Sequence, residues 1–302
     1  MNKTLNIGHL STMYHSSFVL MSTDWLEKSN IKVNWNLFGG GPAIVEAFEK
    51  GEIDLGYIGL PPAMKGIDKG LSIKCIAGGH VEGTVMIAVH GYKSLDEFNG
   101  EYRPFLNQFK GLTIACPPKG SIHDVIIREY LRNLEFENEI TIKNYEWADM
   151  IPESMADGDI HVAIGTPSLA VVAKRFCEAK TVITPDNLWK NNPSYGIVAK
   201  QELIDSYPEL VFTFVEKHDK ACKFIKEKPE HAAQIISDNV GIVTPDFVYE
   251  ILKMSPKYSA KITKCYIKST MEFVPILQNL GYIKKNLDEK DIFDIRFLNR
   301  LD

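Results

Sequence analysis

Apolar and polar residues alternate along this chain in short blocks, each long enough for one strand or one helix. The clearest block runs from Phe48 to Ala63, FEKGEIDLGYIGLPPA. A helix ends at Gly51, Ile53–Ile58 is a buried strand, and Gly59-Leu60-Pro61-Pro62 breaks that strand and opens the next helix. The same pattern recurs 107 positions later as Met155–Ala170, MADGDIHVAIGTPSLA. The shift also lays Leu5–Gly8 on Leu112–Ala115 and Val33–Phe38 on Ile140–Tyr145, without gaps. One offset fitting three strands predicts two similar β-loop-α units in register.

The chain in order extends this scheme. In the first half, strands are predicted at Leu5–Gly8, Ile31–Phe38, Ile53–Ile58, Ser72–Ala77 and Val85–Val89. Helices fall at Phe18–Lys28, up to Lys50 and up to Lys69. Gly78–Thr84 reads as a glycine-rich loop, and polar His90–Lys110 as the first crossing between lobes plus a surface insertion. The second half places strands at Leu112–Cys116, Ile140–Tyr145, Ile160–Ile164 and Thr181–Ile183. Its helices are Ile122–Asn133, Met150–Ala156 and Leu169–Phe176. Tyr195–Ala199 returns as a strand to lobe one, and Gln201 onward is helical, broken at Pro208, Pro229, Gly241, Pro245, Pro256 and Gly281. The fold class is α/β, with two similar Rossmann-like lobes joined by two hinge crossings. Lobe one holds residues 1–89 and 195–302, and lobe two holds 90–194.

Composition narrows the function classes. A chain of 302 residues, 45% hydrophobic and 24% charged, is ordinary for a globular protein large enough for two domains. A net charge of −5 without a basic stripe argues against nucleic acid as a partner. Five scattered cysteines without CxxC spacing read as small buried hydrophobes. No histidine pair has metal-ligand spacing with a nearby acid, so no metal site and no cofactor is expected. No apolar run is long enough to span a membrane. Met1-Asn2-Lys3-Thr4 leads straight into a strand, which fits a cytoplasmic chain or an exported one whose signal or lipoprotein leader has been removed.

In open α/β sheets, ligands bind beyond the carboxyl ends of the strands, where helix N-termini present free N–H groups. The loops at those ends are short, rich in glycine, proline and hydroxyls, and suit a hinged cleft for a small molecule. Ser121 begins a helix, and either caps it alone or also touches ligand. His9, His15, His80 and His123 fall where they can approach the cleft, Glu82 is the acid near it, and Tyr14, Trp147 and Tyr195 are rings for stacking or for the core or rim. No arginine occurs in these loops, which disfavours a doubly charged anion; Lys119 and the helix N-termini suffice for one negative charge. No GxSxG, CxxC or Ser-His-Asp order supports nucleophilic catalysis.

GEIDLGYIGLPPA, followed by KGSIHDVIIREYL after a later strand, resembles the extracytoplasmic solute-binding proteins of the nitrate, sulfonate and taurine transporter group. Ser269–Phe273 with Leu280–Ile283 is similar to that group's C-terminal helices. The resemblance spans the whole chain and implies the type II periplasmic-binding-protein fold. It also implies a small polar or anionic ligand and an ABC-transporter permease as partner. Carried over by position, the resemblance implies the ligand loops Ser11-Thr12, Gly40-Gly41-Pro42, Leu60-Pro61, Gly120-Ser121-Ile122-His123 and Gly165-Thr166-Pro167. Relatives of this architecture also include thiamine-pyrimidine and riboflavin carriers and some cytoplasmic enzymes of cofactor-precursor synthesis. An enzyme on the same fold is therefore the alternative function.

Overall fold

The computed structural model describes residues 3–301 and contains two five-stranded sheets. The first half runs β1 (Thr4–Leu10), α1 (Ser17–Met21), β2 (Lys32–Phe38), α2 (Gly41–Glu49), β3 (Leu55–Ile58), α3 (Leu60–Asp68) and β4 (Ile73–Val81). Next come β5 (Val85–Ala88), α4 (Tyr102–Asn107), β6 (Thr113–Cys116), α5 (Ile122–Asn133), β7 (Thr141–Asn144) and α6 (Ile151–Ala156). Then follow β8 (Val162–Gly165), α7 (Pro167–Phe176), β9 (Lys180–Ile183), α8 (Pro185–Leu188) and β10 (Pro193–Lys200). Six helices close the chain: α9 (Gln201–Ser206), α10 (Pro208–Glu227), α11 (Pro229–Val240), α12 (Pro245–Met254), α13 (Lys264–Asn279) and α14 (Glu289–Ile292).

Sheet one has the order β2-β1-β3-β10-β4 and sheet two the order β7-β6-β8-β5-β9. The repeat reaches down to register. Ile7 pairs with Trp35 and Leu55 in sheet one, while Ile114 pairs with Ile142 and Val162 in sheet two, each partner shifted by 107. In both sheets the fourth strand is antiparallel to its neighbours: β10 to β3 and β4, and β5 to β8 and β9. The central strands are buried along their whole length, as strands covered on both faces must be. Helices α2 and α3 cover one face of sheet one; α1, α10, α11 and α12 cover the other.

The antiparallel strands are the pieces that each lobe receives from across the molecule. This corrects the boundaries drawn from sequence. Val85–Ala88, assigned to lobe one, hydrogen-bonds within sheet two. The first crossing is therefore residues 82–84, and 90–110 runs within lobe two with a Ser94/Glu97 capping box at its first turn. The second crossing precedes β10. The crossings touch: Glu82 N–H donates to Asn192 O at 2.9 Å.

Two further expectations fail locally. The first helix stops at Met21 instead of reaching Lys28, where Ser22 Oγ and Thr23 Oγ1 donate back to Phe18 O and Val19 O at 2.6 and 2.9 Å. The Gly78–His80 stretch is strand, not loop. Its glycines permit close approach: a Cβ at Gly79 would run into the Tyr195 ring, and one at Gly78 would lie 2.8 Å from Ser259 O.

Candidate functional site

A cavity of ≈ 40 Å³ lies between the two lobes, beyond the carboxyl ends of β1, β2, β3, β6 and β8. Four helix N-caps line it: Gly40 and Gly59 from lobe one, Ser121 and Thr166 from lobe two. Local sequence places them there. Strands β2, β3, β6 and β8 each end in a glycine, proline or hydroxyl turn whose next residues begin a helix of nine to twelve residues. Ser121 Oγ accepts from Asp124 N–H at 3.3 Å, and Thr166 Oγ1 accepts from Leu169 N–H at 3.2 Å, so both hydroxyls serve as caps. The mouth is drawn together by Ser11 Oγ, which donates to Asp149 Oδ2 across the lobes at 2.6 Å. Gly40 abuts Pro118 from the opposite lobe, where a Cβ would lie 2.7 Å from Cγ.

Among the described residues no Asp, Glu, Lys or Arg side chain lines this cavity. Its titratable members are Tyr14, His15 and His123, all buried. Burial holds the His15 imidazole well below its usual range, reinforced by His80, His9, His123 and His218. Burial pushes His123 down to about 4 against the opposing pull of Asp124, and raises the Tyr14 phenol. All three are uncharged at neutral pH. Thr84 Oγ1, in the first crossing, is 3.0 Å from His123 Nδ1 and fixes that ring. Thr12 Oγ1 and His15 Nδ1 are buried and have no hydrogen-bond partner. Such atoms cost about 1–3 kcal/mol each when left unpaired, and both belong to residues of the cavity wall.

Of the residues singled out from sequence, Ser11, Thr12, His15, Gly40, Gly41, Ser121, Ile122, His123 and Thr166 come together on the cavity wall. The others stand elsewhere. Pro42, Leu60 and Pro61 fill first turns of α2 and α3. Gly165 closes β8, and Gly120 adopts φ +85° so that its N–H reaches Asp124 Oδ2 at 2.8 Å. Tyr195 is fully buried beneath the site, its ring centroid 4.0 Å from that of His15. Its hydroxyl donates to Ser16 Oγ at 3.2 Å, and Ser16 Oγ lies 3.0 Å from His218 Nδ1. His80 is a strand residue whose Nε2 donates to Ser255 O, and burial holds it down to about 4. Glu82 belongs to the crossing. It accepts from Asn191 N–H at 2.9 Å and pairs with Lys257.

Tyr14, one of the rings considered for stacking, lines the cavity, and so do Ser194 and Gly59, which were not counted as site residues. The Tyr14 and Ser194 hydroxyls are 2.9 Å apart, joining the loop after β1 to the start of β10. Gly59 carried a signal as the strand-to-helix break; Ser194 carried none, because it reaches the site only through the returning strand. Among the described residues no group of three His, Cys, Asp or Glu is arranged to hold a metal.

No curated protein matches this chain. Among solved structures, the ligand-binding component of an ABC-type import system from Staphylococcus aureus, with zinc bound, is similar at TM-score 0.81 and 18% identity, covering 99% of each chain. The periplasmic nitrate-binding protein NrtA from Synechocystis is similar at TM-score 0.80 and 13% identity, over 98% of this chain and 87% of that one. The periplasmic aliphatic sulphonate binding protein SsuA from Escherichia coli gives TM-score 0.77 and 15% identity, over 97% and 98%. At these identities the likeness is one of fold, and it is the periplasmic-binding-protein fold that the sequence resemblance implied. The NMT1-like family matches residues 2–238, more than half of the sequence, and the chain belongs to that family.

Proposed function

We propose that this protein is the solute-binding component of an ABC importer and captures a small polar or anionic organic molecule between its lobes. The observation that supports this most is the convergence of four helix N-caps, two from each lobe, on one buried and uncharged cavity. Helix N-termini favour negative charge or a strong hydrogen-bond acceptor, and do so without a side-chain cation. Thr12 Oγ1 and His15 Nδ1 supply two more polar atoms that a solute would satisfy. Ligand pockets run to roughly 300–1,000 Å³, so a cavity of ≈ 40 Å³ requires the lobes to part at the crossings before a solute gets in. Each lobe then contributes half of the wall, and a bridging ligand favours closure.

On this reading the partner is a membrane permease that receives the solute, and the protein works outside the cytoplasm. Among the described residues no helix is long and apolar enough to cross a membrane, so attachment would come from a partner or a leader. The test is native mass spectrometry of the purified protein before and after mild denaturation, followed by a thermal-shift panel of nitrate, alkanesulfonates and small carboxylates. Stoichiometric release of an intact small molecule, or a saturable upward shift with one of the panel, is the expected result. Turnover of the released compound on adding it back would instead establish an enzyme.

A further inference from the structure

Residues 281–294 lie beyond the span matched to the family and run back over lobe one. The N–H groups of Lys284 and Lys285 donate to Asp68 Oδ1 at the end of α3, at 3.0 and 2.7 Å. Asp294 N–H donates to Cys75 O in β4 at 3.0 Å. This strap is therefore anchored to lobe one. From it, Tyr282 reaches the other lobe: its hydroxyl donates to Asp124 Oδ2 on α5 at 2.6 Å. Asp124 is fully buried. The same oxygen accepts Gly120 N–H at 2.8 Å, while Oδ1 accepts from Arg128 Nε at 2.8 Å and Asn144 Nδ2 at 2.9 Å. Lys65 of α3 sits over the Tyr282 ring, 4.7 Å from its centroid, and a Cβ on Gly120 would come within 2.5 Å of its Nζ. Strap, lobe-one helix and lobe-two helix thus meet at one buried carboxylate beside the Gly120-Ser121 turn.

We propose that Tyr282 is a positioning residue for the cleft: its hydroxyl latches the C-terminal strap to Asp124 when the lobes close, and through Asp124 fixes the turn that brings the α5 N-terminus to the ligand. The proposal rests on the inter-lobe cavity being the binding site. An O–H···O⁻ bond to a buried carboxylate is among the stronger hydrogen bonds, and this one exists only while the lobes are together. Opening strips Asp124 Oδ2 of one of its two donors, so the open state bears the cost and the closed state gains the ordered turn. Burial and the Asp124 bond both raise the Tyr282 phenol, which stays a donor at every working pH.

Tyr282→Phe tests this, because it deletes the hydroxyl and keeps the ring beneath Lys65. Spin labels at exposed Lys50→Cys and Asp157→Cys, one on each lobe, with exposed Cys265→Ser and half-buried Cys177→Ala to prevent further labels, report the inter-lobe distance by pulsed electron resonance. In Tyr282→Phe the distance distribution should move to longer values. The Gly120 amide should exchange with solvent about tenfold faster, equivalent to ~1.4 kcal/mol, while amides of β1 and β3 keep their protection. An unchanged distance distribution, or unchanged Gly120 exchange, overturns the proposal, and a lowered melting temperature with neither change assigns Tyr282 a purely structural part. Both readings are taken on the protein alone. Failure of the transport reading would leave them intact, and failure of the latch would leave solute binding intact.

Discussion

His15 brings to the cavity a ring that packs at a tilt against Tyr195, is depressed in basicity by burial, and is unpaired at Nδ1. Its neighbours share that state: burial holds His80, His123 and His218 down to about 4 from an ordinary 6.5. The sign of the consequence is fixed. As pH falls through 6.5 the unfolded chain takes up protons that the folded chain refuses until about 4. Stability therefore drops across that window, by about 1.4 kcal/mol per pH unit for each imidazole, and is fully present above it. Urea midpoints should fall steadily between pH 6.5 and 4.5; a flat profile would mean these rings are not buried neutral. The hydroxyl caps make a second prediction. Ser121→Ala with Thr166→Ala should cost about 0.5–2 kcal/mol of stability per cap and weaken solute binding while the protein stays folded. Unchanged affinity in the folded double variant would place the ligand elsewhere.

At the scale of elements, the strand-to-helix turns were the legible part, because glycine and proline punctuation sits in the sequence at the point where it acts. Ser121-Ile122-His123 and Thr166 follow such turns and do reach the cavity. His80 and Glu82 were misplaced for the opposite reason. A Gly-Gly pair looks like a loop locally, yet here it lets β4 pass beneath Tyr195 and alongside residues 258–260, contacts made by chain more than a hundred residues away. Sheet membership of β5 was hidden in the same way: its apolar run announces a strand but not which sheet receives it. Gly79→Ala probes this directly. The added methyl meets the Tyr195 ring, which is fully buried and cannot move aside, so the variant should lose about 1–3 kcal/mol. Because Tyr195 carries His15, solute affinity should fall with it. Wild-type stability would show that β4 and the ring separate easily, and that the glycine pair is an ordinary loop after all.

For the whole molecule, the duplicated halves exchange one strand each, and the two connecting segments that result are the only covalent links between sheets among the described residues. They lie side by side, tied by Glu82 to Asn191, Asn192 and Lys257, and both Glu82 and Asn191 hold left-handed backbone at φ 60° and 58°. Such conformations cost free energy in non-glycine residues and persist where surroundings over-determine them. Gly83 and Thr84, next to this tied segment, are then expected to absorb lobe rotation. Gly83 packs directly against Ser194 and Tyr14, with no room for a side chain. A Gly83→Ala methyl would push the first crossing away from the start of β10 and from the cavity wall. The expected result is a larger radius of gyration by small-angle scattering, with cooperative unfolding retained and solute-induced compaction reduced. If Gly83→Ala scatters like the wild type and still compacts with solute, rotation occurs elsewhere, and the paired crossings serve as a fixed spine instead of a pivot.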